Sequence, residues 1–270
     1  MRWGLVWILA LNAPRFFIFG YIWRGLARRV GQLLTLSQAI AVKWIGEAMS
    51  EATPLHVIGG DASRLALLHD GTGSMLDGSA SIFLDRACHI AAGFLYSLVG
   101  VSLFLLSVKK LWFSAGTGLL VVAVICAVAV AAFRRFGIHP LILKGRRLFW
   151  QQRQALVTAT IWCFVGKLLV TVELMIIFKY LALPLDIKDS FVLGAMGLII
   201  VTVFPFLPSG LGAVEGGTMA FFHWKGLDPS LGLSLQLIRR LNGIFIILCG
   251  TLLLLFVRRG ASRQENNVVT

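Results

Sequence analysis

The chain has 270 residues, 58% of them hydrophobic and 14% charged, with a net charge of +13 and a mean hydropathy of +0.85. That composition excludes a soluble globule, because apolar stretches of about 20 residues or more recur along the whole length, enough for a helix to cross a bilayer core. The basic excess does not require a nucleic-acid partner and none is expected, since Lys and Arg gather between apolar segments, as in membrane proteins.

In chain order, the first apolar span covers 3–23 and holds Asn12, Pro14 and Arg15; Arg24, Arg28 and Arg29 follow it. Segment 37–77 is apolar only in part and is broken near Pro54 and the glycines at 59 and 60. Within it Lys43, Glu47 and Glu51 recur every four residues, which predicts one polar stripe on a helix, read as an internal ion-pair ladder. Span 78–107 opens on Asp85 and Arg86, with His89 one turn on. Arg86 has the fork that grips a phosphate, or it snorkels to the interface.

A span over 111–133 leads to the loop 134–153, which carries Arg134, Arg135, Lys144, Arg146, Arg147 and Arg153 without an acid and is expected to be cytoplasmic. Span 155–181 places Lys167 and Glu173 near its centre, where both must face the bundle interior. They lie six residues apart, too far to pair on one helix face. The loop 182–189 then falls outside the membrane. Segment 190–228 is the second broken one, and span 230–257 with Arg240 ends the bundle. Arg258, Arg259 and Arg263 agree with a short cytoplasmic tail at 259–270, so one transmembrane domain is expected over 1–258.

The second break reads "FPFLPSGLGAVEGG", residues 204–217, with Pro205, Pro208, four glycines and Glu215. Irregular backbone at membrane depth survives only where protein or a water-filled cavity satisfies it. An ionisable group there is costly and usually faces a partner or a cavity. Glycines at 210 and 212 let amides turn toward such a cavity, and amides at a helix start favour an anion. Glu215 would therefore line a headgroup or proton site, or tie the segment to Arg240. Asp61 is the corresponding candidate in the first break.

The loop assignments make 37–77 enter and leave from the cytoplasm and 190–228 from outside, so two re-entrant hairpins point at one another. Each proline, Pro54 and Pro208, precedes its acid, Asp61 or Glu215, by seven residues. Asp61 precedes Arg86 by 25 residues, and Glu215 precedes Arg240 by 25. The expectation is an all-α polytopic bundle with two opposed broken-helix hairpins, arranged as an inverted repeat with its site where the breaks meet. Cys88, Cys126, Cys163 and Cys249 are dispersed, and the histidines lack ligand spacing. Neither metal nor cofactor is expected.

"PFLPSGLGAVEGG" together with "GGDASRLALLHDGTGSMLDGSASIFLDR" (59–86) resembles a flippase-like membrane family that includes the transmembrane region of lysylphosphatidylglycerol synthases and hopanoid-associated membrane proteins. The resemblance spans about 5–258. Its more specific core is Pro208, Gly210, Gly212 and Glu215; Gly59, Gly60, Asp61 and Arg64 form a weaker second motif. It implies movement of a lipid headgroup between leaflets of a bacterial inner membrane, with Gly210, Gly212, Glu215, Asp61, Arg64 and Arg86 at the site. Members often begin with another transmembrane helix, and nothing in these residues matches the soluble aminoacyl-transferase domain of the synthases, so lysyl transfer is not expected of them. Membrane lipids are the expected partners. The rival readings are a non-transporting accessory subunit that holds a partner protein of a lipid pathway, and an intramembrane lipid-modifying enzyme, for which no carboxylate or His cluster stands out.

Overall fold

A chain this apolar must satisfy its backbone polar groups internally, and within one segment only the helix does so. The computed structural model describes residues 2–53, 56–69, 75–107, 152–204 and 207–269, and among these only helices and turns occur. Helices α1 (Arg2–Ala10) and α2 (Asn12–Arg29) follow each other across the single turn residue Leu11 and act as one crossing helix, Gly4–Arg29. Pro14 lies in the first turn of α2, where a missing N–H costs little. The helix outlasts the expected end at 23 because Arg28 and Arg29 suit its C-terminal dipole.

Helix α3 (Leu36–Ala52) starts on a capping box, with Gln38 N–H donating to Thr35 Oγ1 and Thr35 N–H to Gln38 Oε1. Helix α4 (His56–His69) turns back along it, and α5 (Met75–Ser107) is the second long apolar helix. Helix α6 (Arg153–Tyr180) follows, then α7 (Ile187–Val203), which opens on a reciprocal cap between Asp186 and Asp189. A tight 3-10 turn, Pro208–Gly210, separates α7 from α8 (Ala213–Trp224). Helix α9 (Pro229–Val269) runs through the residues read as a tail. Before it, Asp228 accepts the Ser230 N–H at 2.9 Å, which holds its carboxyl below the ordinary value.

Among the described residues, four helices are long and apolar enough to cross a membrane: Gly4–Arg29, Met75–Ser107, Arg153–Tyr180 and Pro229–Val257. They match four expected spans to within a few residues; the fifth, 111–133, and nearly all of the 134–153 loop lie outside the described residues. The two interrupted segments are α3–α4 and α7–α8, each a helix, a break and a second helix. Apolar side chains such as Trp7, Phe17, Tyr21, Ile161, Trp162, Leu248 and Phe256 remain exposed, as a lipid-facing surface requires.

The packing exchanges partners between the two halves of the chain. Helix α3 packs on α9, with Trp44 Nε1 donating to Ile246 O at 3.3 Å and both Ala48 and the Trp44 carbonyl against Gly250. Helix α7 lies antiparallel on α5, with Leu198 near Gly93, Tyr96 against Gly194 and Phe191 against Gly100. Small residues allow these close approaches. A Cβ added at Gly100 would sit 2.9 Å from the Phe191 carbonyl oxygen. One apolar cluster joins Ile8, Leu174, Phe178, Leu193, Phe222 and Leu235, and another joins Phe19, Leu26, Leu84, Cys88, Leu156 and Cys163. Cys88 and Cys163 are therefore buried free thiols.

Candidate functional site

The charged residues of α3, α4 and α5 form one connected row. Asp85, 1% exposed, accepts from Lys43 Nζ at 2.6 Å and from Arg64 Nη2 at 3.0 Å, both on Oδ2. Its Oδ1 has no hydrogen-bond partner and lies 3.7 Å from His89 Nε2. Arg64 Nη1 reaches Asp61 Oδ1 at 3.4 Å. Asp61 Oδ2 accepts from Arg86 Nε at 3.1 Å and Nη2 at 2.7 Å. The charges alternate, Lys43, Asp85, Arg64, Asp61, Arg86, from the buried core to side chains of Arg86 and Asp61 that are 34% and 25% exposed.

The "GGDASR" stretch explains how the row is assembled. Gly60 lies against Ser50 and the Gly46 backbone, and Gly59 against Thr53, so α4 approaches α3 closely. Gly46 leaves room for the stem of Arg64, which crosses α3 toward Asp85 and stacks on Trp23 at 4.3 Å from the ring centroid. Asp61 and Arg64 are three apart and share a helix face.

The second break holds a matching pair. Glu215 Oε1 accepts from Arg240 Nε at 3.0 Å and Nη2 at 2.7 Å, and Oε2 accepts the Gly212 N–H at 2.8 Å. The amide at this helix start is thus taken by the chain's own carboxylate, and the tie to Arg240 offered by the sequence is present. Ser209, Gly210 and Gly212 all have positive φ, at 48°, 67° and 81°. A Cβ at Gly210 would meet Val214 at 2.6 Å and Val201 at 3.0 Å. The backbone of Pro208 begins the 3-10 turn.

The two breaks touch. Ser209 Oγ donates to Glu51 Oε2 at the end of α3. The polar stripe of α3 is therefore not a ladder within one helix. Lys43 binds Asp85 on α5, Glu47 binds Arg15 on α2 at 3.1 Å, and Glu51 meets the second break. The reason is that neighbouring helices supply opposite charges at better geometry than a four-residue step along the same helix. Glu173 likewise reaches out of α6 to Arg239, at 3.5 Å.

Of the site residues read from the sequence, Asp61, Arg64 and Arg86 come together in one group, and Pro208, Gly210, Gly212, Glu215 and Arg240 lie along the second break and its pair. The contact between breaks runs through Glu51 and Ser209, which were not site candidates. Nor were Lys43 and Asp85, although a charge in an apolar helix marked both. Among the described residues no group of three or more His, Cys, Asp or Glu could hold a metal ion.

Residues 1–251 match the family model described as the lysylphosphatidylglycerol synthase TM region. The chain belongs to that family. No curated protein and no solved structure matches it. A lysylphosphatidylglycerol synthase TM region and four membrane-crossing helices make it an integral membrane protein of a lipid-related family. Both motifs that carried the resemblance lie within the matched residues, one on each broken segment.

Proposed function

We propose that this chain moves a lipid between bilayer leaflets, with the headgroup passing along a hydrated groove between two opposed hairpins, α3–α4 and α7–α8, while the tails stay in lipid. The observation that carries the reading is the row Lys43, Asp85, Arg64, Asp61, Arg86, which leads from a sealed core to an accessible edge within otherwise apolar helices. Charges so placed in a membrane usually mark a substrate path. The contact between the two breaks, Ser209 to Glu51, puts both irregular backbones beside one another, as in transporters that bind substrate where broken helices meet.

On this reading the hairpins are re-entrant from opposite faces, the 134–153 loop faces the cytoplasm of a bacterial cell, and the protein transports rather than catalyses. Its partners are membrane lipids. The test is a scrambling assay in liposomes carrying fluorescent phospholipid, with dithionite quenching the outer leaflet. Wild type is expected to quench beyond the outer-leaflet fraction, while Arg86→Ala and Glu215→Gln slow that phase about tenfold or more, since each removes a charge-assisted pair. Quenching confined to the outer leaflet for every lipid tried would overturn the proposal and favour an accessory role.

A further inference from the structure

Six interior cations of the described helices have a carboxylate within 4 Å: Arg15 with Glu47, Lys43 and Arg64 with Asp85, Arg86 with Asp61, Arg239 with Glu173, and Arg240 with Glu215. Lys167 is the exception. It sits at the middle of α6, the least hydrated depth for a helix that crosses a membrane, and has no hydrogen bond or ion pair among the described residues. The residue as a whole is half-buried.

Two arginines, each held by a carboxylate of its own, lie around Lys167. The ionisable groups acting on it or feeling its charge include Arg15 on α2, Glu47 on α3, Arg86 and His89 on α5, and Cys163 on its own helix. Glu47 is already engaged by Arg15, and Arg86 is engaged by Asp61. Beside it α5 presents Gly93, where an added Cβ would lie 3.7 Å from Lys167 Nζ. Lys167 Cε and Leu198 close on that same position, at 3.5 and 3.3 Å, so the lysine lies directly against α5. The side chains of Arg15 and Glu47 are 23% and 33% exposed, so α2 and α3 both open onto the same region.

We propose that Lys167, backed by Arg15 and Arg86, binds a phosphoryl anion at mid-depth between α2, α5 and α6. An unpaired ammonium in a water-poor site calls for a counter-charge, and a flexible lysine suits a phosphate as a point charge. This deepens the transport reading on which it rests. With Glu47 and Asp61 both engaged by arginines, the site favours a headgroup whose phosphate carries no ammonium of its own. The same chemistry would hold a lipid phosphate or free inorganic phosphate.

The experiment uses the full chain in nonionic detergent, mixed with equal amounts of phosphatidylglycerol and phosphatidylethanolamine, and counts retained lipid by native mass spectrometry. Wild type is expected to retain the anionic lipid over the zwitterionic one, and Lys167→Met to weaken that retention about tenfold, the equivalent of one charge-assisted contact. Lys167→Arg should preserve most of it, and Lys188→Met, at an exposed position in the first turn of α7, should change nothing. Lys167→Met should also melt no lower than wild type, because it removes an uncompensated charge.

Lipid retention without preference, combined with Lys167-dependent quenching of tryptophan fluorescence by inorganic phosphate, would assign the site to the free anion. Retention and quenching that are both indifferent to Lys167, or a Lys167→Met protein that melts well below wild type, would overturn the site. Scrambling that fails while retention still depends on Lys167 removes the transport reading and keeps the site. Scrambling that persists with lysine-independent retention does the reverse.

Discussion

Asp85 and Arg86 are neighbours in sequence with opposite surroundings. A step of one residue turns a helix by about 100°, so Asp85 faces the core and holds Lys43 and Arg64, while Arg86 faces the accessible edge and holds Asp61. Removing the buried member leaves two cations with no other acid at Asp85's place. Asp85→Asn is expected to destabilise the protein by about 3–5 kcal/mol, read as a large fall in melting temperature in detergent. Arg86→Ala should cost no more than about 1 kcal/mol in the same measurement, since its pair is partly exposed and Asp61 keeps Arg64. Equal falls would mean that the burial contrast between the two is not what sets their roles. Sequence spacing marked Asp61 with Arg86 and Glu215 with Arg240, because each acid and base stands out against apolar neighbours, and it offered the Glu215–Arg240 tie but not the pairing of Asp61 with Arg86. It did not reveal that Asp85 anchors the group, since the direction a residue faces is decided by the helix packed beside it.

At the scale of elements, the second break depends on backbone that only certain residues adopt. Gly210 has φ 67° and is buried, with Val214 and Val201 where a Cβ would go. Gly210→Ala therefore combines left-handed strain with a clash and should cost about 2 kcal/mol or more. Gly216 lies three residues into α8 with open space at its Cβ position, so Gly216→Ala should be neutral or stabilise by up to about 1 kcal/mol. Melting curves of the two variants check both signs, and a neutral Gly210→Ala would remove the strain argument. The breaks themselves were legible, because Pro and Gly crowd where apolar sequence should be uniform. The extension of α2 to Arg29 was not, since terminal arginines read equally well as a loop.

At the scale of the whole molecule, an offset of 154 carries Pro54 onto Pro208, Asp61 onto Glu215 and Arg86 onto Arg240. Both acid–base pairs close through the same two guanidinium atoms, Nε and Nη2. The same offset carries the Gly93–Leu198 contact of α5 with α7 onto positions 247 and 44, next to the observed bond between Trp44 and Ile246. Such agreement predicts matched behaviour in the two halves. Exchanging the charges, Asp61→Arg with Arg86→Asp and Glu215→Arg with Arg240→Glu, should restore part of what each single change loses in the scrambling assay, and to a similar extent on both sides. Recovery on one side alone would show that only that pair is structural and that the likeness is not mechanical.

The exchange of partners, α3 on α9 and α7 on α5, has a consequence for how such a chain could be divided. Each half lays the first helix of its hairpin on the other half's long helix and keeps the second, α4 or α8, on its own, as in a clasped pair of hands. A half produced by itself would present an uncovered seam on its long helix and leave its own first hairpin helix without a groove, so the covalent join between the halves keeps both seams closed at once.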